Sequence, residues 1–233
     1  MRFLITAALS ILLAGQANAV PFFGLSWDTC TGPLNRCIAP GEAVVNLSAW
    51  VVGQSTAHRG YEFAVEFATK SASSPYPDAW RFDPDGCLGS GFINMRFTAQ
   101  PNSCPVFERS GATHASSFLY DPSIQKFKMV MSSNYPLGNT NTVDPSRRYA
   151  LGWVAFEFIF CVNGPTDPGT TCGQLETPMS LHIARATWIE HPAGTSHDYA
   201  VNHADLFAND PAVGCAPVPA VPATWGAIRA QYR

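Results

Sequence analysis

The sequence is short of charge and has no long apolar run beyond its first residues, and each shortage excludes a class of protein. Charged side chains make up 13% of the 233 residues, and the formal net charge is −3. Without a basic stripe the chain has little to hold a phosphate backbone or an anionic lipid surface, so we exclude nucleic acid as a partner. After residue 19 no stretch approaches the ~18 apolar residues of a membrane-spanning helix, so we expect no transmembrane segment in the mature chain.

Catalytic motifs are also lacking. The sequence has no Gly-x-Ser-x-Gly elbow, no His-Glu-x-x-His pair and no phosphate-binding glycine loop. It has no Cys-x-x-Cys and no His at zinc-ligand spacing beside a Cys. We therefore predict a non-catalytic protein with no catalytic residue, no metal and no cofactor.

The first residues have the three-part layout of a secretory signal peptide. Arg2 is followed by an uncharged apolar run over residues 3–13, and residues 17–19 read Ala-Asn-Ala, a small-x-small cleavage site. We predict that residues 1–19 are removed and that the mature chain, from Val20, is secreted or held at the cell surface; a periplasmic location is also open.

Seven cysteines in an exported chain predict disulfide bonds. Closeness in sequence favours three pairs, each closing a short loop. Cys215, beside a proline-rich stretch, is then left free or paired between chains. The predicted pairs are Cys30–Cys37, Cys87–Cys104 and Cys161–Cys172.

The central sequence has the pattern of β-strands separated by turns. Over residues 61–69, Tyr61, Phe63, Val65 and Phe67 fall on one face of a period-two alternation, which indicates a half-buried strand. The run 149–161 is apolar on both faces and is expected in the middle of a sheet. The other predicted strands are residues 43–52, 92–99, 117–120, 125–132 and 179–188.

Seven or eight short strands joined by Gly, Pro and Asp turns, with no long amphipathic helix, predict an all-β fold. We predict a single antiparallel two-sheet β-sandwich, immunoglobulin-like or jelly-roll-like, over residues 20–215. Residues 216–223 carry a proline at positions 217, 219 and 222 and are interpreted as an extended linker.

The last ten residues, 224–233, read TWGAIRAQYR and form a separate tail motif. Trp225, Ile228 and Tyr232 are spaced to share one face of a short helix, which is too short to be stable alone. We predict a helical or disordered tail whose aromatic face fills pockets of a partner, while Arg229 and Arg233 meet carboxylates. The partner is an unidentified sorting or surface receptor, or the protein's own body.

The two ends of the chain resemble a group of exported bacterial β-sandwich proteins to which no activity is assigned. Residues 25–30 read LSWDTC and match that group's Leu-x-Trp-Asp-x-Cys opening, although Thr29 stands where an acidic residue often follows the Asp. The tail matches its ending, Thr-Trp-Gly-x-[Ile/Leu/Val]-[Lys/Arg]-x-x-Tyr-Arg. The resemblance implies export, a disulfide-bearing sandwich, and a tail that acts in sorting, anchoring or docking.

A carbohydrate-binding module or small glycan-acting enzyme is the alternative. It would need solvent-facing aromatic rings, drawn from Trp50, Trp80, Trp153 and Trp188, or a pair of carboxylates in a groove. Glu62 and Glu66 are four strand residues and so ~13 Å apart, which exceeds the separation either glycosidase mechanism uses. A pair of Glu66 with Glu157 across strands remains open.

Metal binding is a third hypothesis. His191, His197 and His203 are six residues apart, with Glu190, Asp198 and Asp205 nearby, and only a folded loop would bring them together. Asp83, Asp85 and Gly86 resemble the start of a calcium loop but lack its closing Glu, so a turn is the simpler interpretation.

Overall fold

The computed structural model describes residues 22–53, 58–71, 74–84, 86–98, 104–107, 111–135, 144–164, 172–191, 193–201 and 205–215. These residues form twelve β-strands and three single 3₁₀ turns. The described part contains no helix of the length and apolarity needed to cross a membrane. The strands are β1 Phe22–Trp27, β2 Asn35–Arg36, β3 Val45–Val52, β4 His58–Thr69, β5 Ile93–Arg96, β6 Thr113–Asp121, β7 Lys126–Asn134, β8 Arg148–Phe156, β9 Met179–Glu190, β10 Ser196–Asp198, β11 Ala200–Val201 and β12 Leu206–Ala208.

The strands make two sheets that pack face to face, so the predicted β-sandwich is confirmed. One sheet has the order β11-β1-β3-β8-β5, and the other has the order β2-β12-β9-β4-β7-β6, with β10 also paired to β9. All the long strands pair antiparallel. Between the named strands of the described part, the two parallel pairings are both short, β1 with β11 and β2 with β12.

Aromatic side chains from both sheets fill the space between them. The rings of Phe23 in β1 and Phe63 in β4 are 4.9 Å apart, and those of Phe67 in β4 and Phe156 in β8 are 5.8 Å apart. The Tyr61 hydroxyl donates to the Leu151 carbonyl of the opposite sheet at 2.5 Å. Such rings bury much of their area and prefer tilted contacts, which is the arrangement found here.

The alternation predicted for β4 is observed. Tyr61, Phe63, Val65 and Phe67 are all at most 2% exposed, while Glu62 on the other face is exposed. The same holds for β7, whose Phe127, Met129 and Met131 are fully buried. A strand whose alternate side chains meet the opposite sheet must keep this period, because a one-residue slip would expose the whole set.

The predicted strand 149–161 is too long. β8 ends at Phe156, and the chain then turns, with the Cys161 N–H donating to the Phe158 carbonyl at 2.9 Å. Phe158 is fully buried against Trp80, whereas Ile159 and Phe160 are about half exposed. The apolar run therefore covers one end of the core rather than extending the sheet. β8 does lie inside its sheet, between β3 and β5.

Candidate functional site: the C-terminal clamp

The three predicted disulfide pairs are wrong. The structure joins Cys30 to Cys104, Cys37 to Cys215 and Cys87 to Cys172, with Cα–Cα distances of 5.9, 5.3 and 5.6 Å. The bonded residues are 74, 178 and 85 positions apart. In a two-sheet fold, neighbouring strands come from distant parts of the chain, so closeness in sequence is a poor guide to closeness in space.

The cysteine without a disulfide is Cys161 rather than Cys215. Cys161 and Cys172 do lie side by side in an isolated β-bridge, as their spacing suggested, but the Cys172 sulfur is bonded to Cys87. Burial raises the pKa of the Cys161 thiol to about 12. The thiol is therefore protonated at neutral pH and is not a nucleophile.

The Cys37–Cys215 disulfide lies where the described body ends, directly before the proline-rich segment. Parallel pairing of β2 with β12 places Phe207 beside Asn35 and Ala208 beside Arg36, which brings the two following segments together. The side chain of Asn35 donates to the Val213 carbonyl at 3.0 Å and to the Cys215 sulfur at 3.2 Å. We call the set Asn35, Cys37, Lys70, Asn209, Asp210 and Cys215 the C-terminal clamp.

Asn209 joins three segments of the clamp through both ends of its amide. Its Oδ1 accepts from the Ile38 N–H at 2.6 Å, and its Nδ2 donates to the Leu175 carbonyl at 2.6 Å. Its φ is 55°, in the left-handed region that asparagine tolerates better than most residues. The side chain and the backbone of Asn209 thus both turn the chain from β12 toward Cys215.

Asp210 caps the 3₁₀ turn Pro211–Val213 and is an almost fully buried carboxylate. It accepts from the Lys70 ammonium at 2.5 Å and from the Ala212 N–H at 3.0 Å. The Lys70 hydrogen bond lowers the pKa of Asp210, against burial, which acts in the opposite direction. Lys70 follows β4, so this ion pair connects the clamp to the middle of the larger sheet.

An open cleft of about 300 Å³ borders the clamp. Ser71, Ser74 and Thr177 are among the residues that line it, beside the Lys70–Asp210 pair. The Lys70 side chain and the Asp210 carboxylate are paired with each other at the border of the cleft, at 2.5 Å. This pair holds the segment that ends at Cys215 against the end of β4.

The carboxylates considered for glycan cleavage do not form a catalytic pair. Glu66 bonds the Lys126 ammonium at 2.8 Å and lies 3.2 Å from the His182 imidazole. The Lys126 hydrogen bond lowers the pKa of Glu66. Glu66 lies on the outer face of the larger sheet, and Glu157 follows β8 of the other sheet, so the suggested pairing across strands is wrong.

The metal-binding hypothesis finds no ligand set among the residues the structure describes, where no three His, Cys, Asp or Glu side chains converge. His197 instead bonds Glu190 at 3.0 Å and stacks on Trp188. His203 lies outside the described residues, as does Asp85. Asp83 is held by two hydrogen bonds from Arg81, at 2.8 and 2.7 Å, and its carbonyl closes a turn with Gly86.

The tryptophans considered for sugar stacking are largely covered. Trp80 is fully buried, Trp50 is 4% exposed, and Trp153 and Trp188 are partly buried. Over the described ranges no row of solvent-facing tryptophan crosses either sheet. This arrangement does not favour the glycan-binding alternative.

The predicted tail contacts, Trp225, Ile228, Arg229, Tyr232 and Arg233, lie outside the described residues, together with the signal peptide 1–19 and the linker 216–223. Sequence reasoning missed the clamp residues Asn35, Lys70, Asn209 and Asp210. Residues 209–211 read Asn-Asp-Pro, which is a turn and cap signal. That signal predicts a turn at these residues, but it does not predict which residues Asn209 and Asp210 bind.

No protein-family model matches the chain, and no curated protein matches it. Among solved structures, the second type II cohesin module of the adaptor ScaA scaffoldin of Acetivibrio cellulolyticus is similar, with 11% identity, 82% of this chain and 98% of that chain covered, and a TM-score of 0.43. A type I cohesin–dockerin complex, Coh-OlpA-Doc918 of Clostridium thermocellum, is also similar. It has 7% identity, 81% of this chain and 97% of that chain are covered, and the TM-score is 0.41. At these scores the likeness carries no conclusion about function, and the fold class rests on the strands themselves.

Proposed function

We propose that this chain is an exported, non-catalytic β-sandwich that is sorted to or held at the cell surface through its tail motif, residues 224–233. The tail would dock on a receptor with aromatic-accepting pockets and carboxylates. The sandwich would be the part presented outside the membrane.

The Cys37–Cys215 disulfide is the observation that carries this proposal. The last strand before the tail, β12, has only three residues, and so short a strand would peel from β9 under a modest pull. A force applied to residue 215 would be transmitted through the disulfide to Cys37, in the loop after β2. The body would then bear that force through a covalent bond and not through β12 alone. Such a covalent attachment would suit a body that is held through its C-terminal end.

The whole disulfide framework supports export. Three bonded pairs tie distant segments of the body, and such bonds persist in oxidising compartments outside the cytosol. The low charge and the LxWDxC opening agree with the same proposal. Within the described ranges, Glu66, Asp83 and Asp210 are each paired with a lysine or arginine side chain.

The test is deletion of residues 224–233 in the source cells, followed by fractionation. We expect the deleted protein to leave the surface fraction and appear in the medium or periplasm, with its N-terminus at Val20 by mass spectrometry. A variant with Trp225→Ala and Tyr232→Ala should behave like the deletion, while Gln231→Ala serves as the matched control in the same segment. Unchanged surface retention of the deletion protein would overturn the proposal.

A further inference from the structure

The two sheets have four edges, and they are not equally protected. Three end in very short strands: β11 and β2 with two residues each, and β5 with four. The fourth edge is β6, with nine residues, Thr113–Asp121. Short strands blunt an edge, and a long one leaves a row of backbone N–H and C=O groups free to pair.

β6 also lacks the other features that protect an edge. Its sequence, THASSFLYD, has no proline, lysine or arginine, and its pairing with β7 runs from Thr113 to Asp121 with no bulge. Its first five residues and Leu119 are exposed, and within the described ranges no strand pairs with this side of β6. Leu119 and Ile124, in the following turn, are the most exposed large apolar side chains in the described part, at 63% and 58%.

We propose that β6 is a self-association edge, at which a second copy of this chain pairs antiparallel about a two-fold axis through Ser117. This register pairs all nine residues and would join the two larger sheets into one continuous sheet. An isologous contact of this kind closes as a dimer and leaves no further β6 edge open.

The sequence of β6 is complementary to itself in this register. On the outer face the pairs are Ala115 with Leu119, two serines at position 117, and Thr113 with Asp121. No two like charges stand opposite each other, a condition for a stable strand pair. The exposed Leu119 would gain cover from the partner's small side chain.

The inner face of β6 is already held in an extended shape by its pairing with β7 and by ring contacts with the rest of the body. His114 stacks on Phe97 at 4.0 Å, Phe118 lies 6.1 Å from Phe127, and Tyr120 lies 5.2 Å from Tyr76. The edge is thus formed before a partner arrives, which lowers the ordering cost of association. This inference does not depend on the tail or its receptor.

The test is sedimentation of the disulfide-intact mature chain, residues 20–233, over a dilution series. We expect a monomer–dimer equilibrium and a five- to tenfold weaker dimer for Ser117→Lys, because two ammonium groups would meet at the axis. Ser196→Lys, at an exposed position of β10, makes the same change away from the edge and should leave the dimer intact. A monomer at every concentration, or equal weakening by both variants, would contradict the proposal.

A cross-linking experiment checks the register. In Ser117→Cys the two Cα atoms would lie ~4.5–5.5 Å apart, within disulfide reach, and oxidised glutathione should convert the dimer to a covalent one. In Thr113→Cys the two sites would be ~27 Å apart and should not cross-link. Equal cross-linking of both variants, or capture of the β6 edge by a different protein in place of a second copy, would rule the two-fold pairing out.

Discussion

At the scale of single residues, the Lys70–Asp210 pair decides how the end of the body is held. Asp210 is 1% exposed, and Lys70, at 41%, shields it from the solvent side. A carboxylate with a lowered pKa contributes stability above the pKa it has when unfolded, about 4, and loses that contribution as the pH falls through its folded pKa.

Lys70→Gln should therefore lower the free energy of unfolding at neutral pH by about 1 kcal/mol, the value of a charged hydrogen bond reduced for solvent screening. The variant should also lose less stability than the parent between pH 5 and the acid range, because the pKa of Asp210 is lowered less once only the Ala212 N–H still favours the carboxylate. Urea unfolding at several pH values measures both effects. Lys128→Gln removes the same charge from an exposed site on β7, where it acts only weakly on the pKa of Glu66, and it should change both much less. An equal acid response in both proteins would count against the role of the pair.

Asn209 shows which features of a residue can be predicted from its local sequence and which cannot. The Asn-Asp-Pro sequence at positions 209–211 predicts a turn because each residue type favours one. The hydrogen bonds of Asn209 to residues 38 and 175 join segments that no local pattern connects. Turn chemistry is local and readable from sequence, whereas the choice of partner is not.

At the scale of the strand, β1 depends on a glycine where another strand's ring crosses it. Gly24 pairs with Trp50 of β3, and a Cβ at position 24 would collide with the indole ring. The ring is not free to move away, because it is 4% exposed and the Arg148 guanidinium lies 3.8 Å over it.

Gly24→Ala should thus destabilise the protein by about 1–3 kcal/mol, the usual cost of overpacking. Chemical unfolding followed by intrinsic fluorescence measures this loss. Gly91→Ala is the matched control, since a Cβ there meets nothing within 4 Å. If the two substitutions cost the same, the close approach of Trp50 does not constrain β1.

Strand patterns also explain which elements were predicted. β4 and β7 are predicted by their alternation of apolar and polar residues, because one face of each strand contacts the opposite sheet and the other contacts water. β1 was missed, since both faces are buried and its six residues include Gly24 and Ser26. The two- and three-residue strands have no pattern of their own and exist only because a neighbouring strand lies beside them.

At the scale of the whole molecule, the disulfides join segments of the described body that are far apart in sequence. The Cys37–Cys215 bond closes a loop of 178 positions and the Cys87–Cys172 bond a loop of 85. Loop-closure entropy makes the longer loop more stabilising by about 0.6 kcal/mol.

The double variant Cys37→Ser, Cys215→Ser should lose about 2–5 kcal/mol of unfolding free energy. It should also become sensitive to proteolysis at β12, because that short strand is no longer tied down. Unfolding in urea and limited digestion under non-reducing conditions measure both effects. The double variant Cys87→Ser, Cys172→Ser should lose similar stability without new cleavage at β12. Cleavage at β12 in both double variants would show that the Cys37–Cys215 bond is not what protects this strand.

The sequence by itself determined the class of this protein: period-two alternation and turn residues dictate strands with one buried face, and such strands are stable only when two layers cover each other. It also determined that cysteine bonds would form, through their number and the export signal it predicts. Only the tertiary structure decided which cysteines meet, which strand is left as an open edge, and what holds Asp210. Those outcomes depend on segments up to 178 positions apart lying side by side, and local patterns carry no information about contacts at that range.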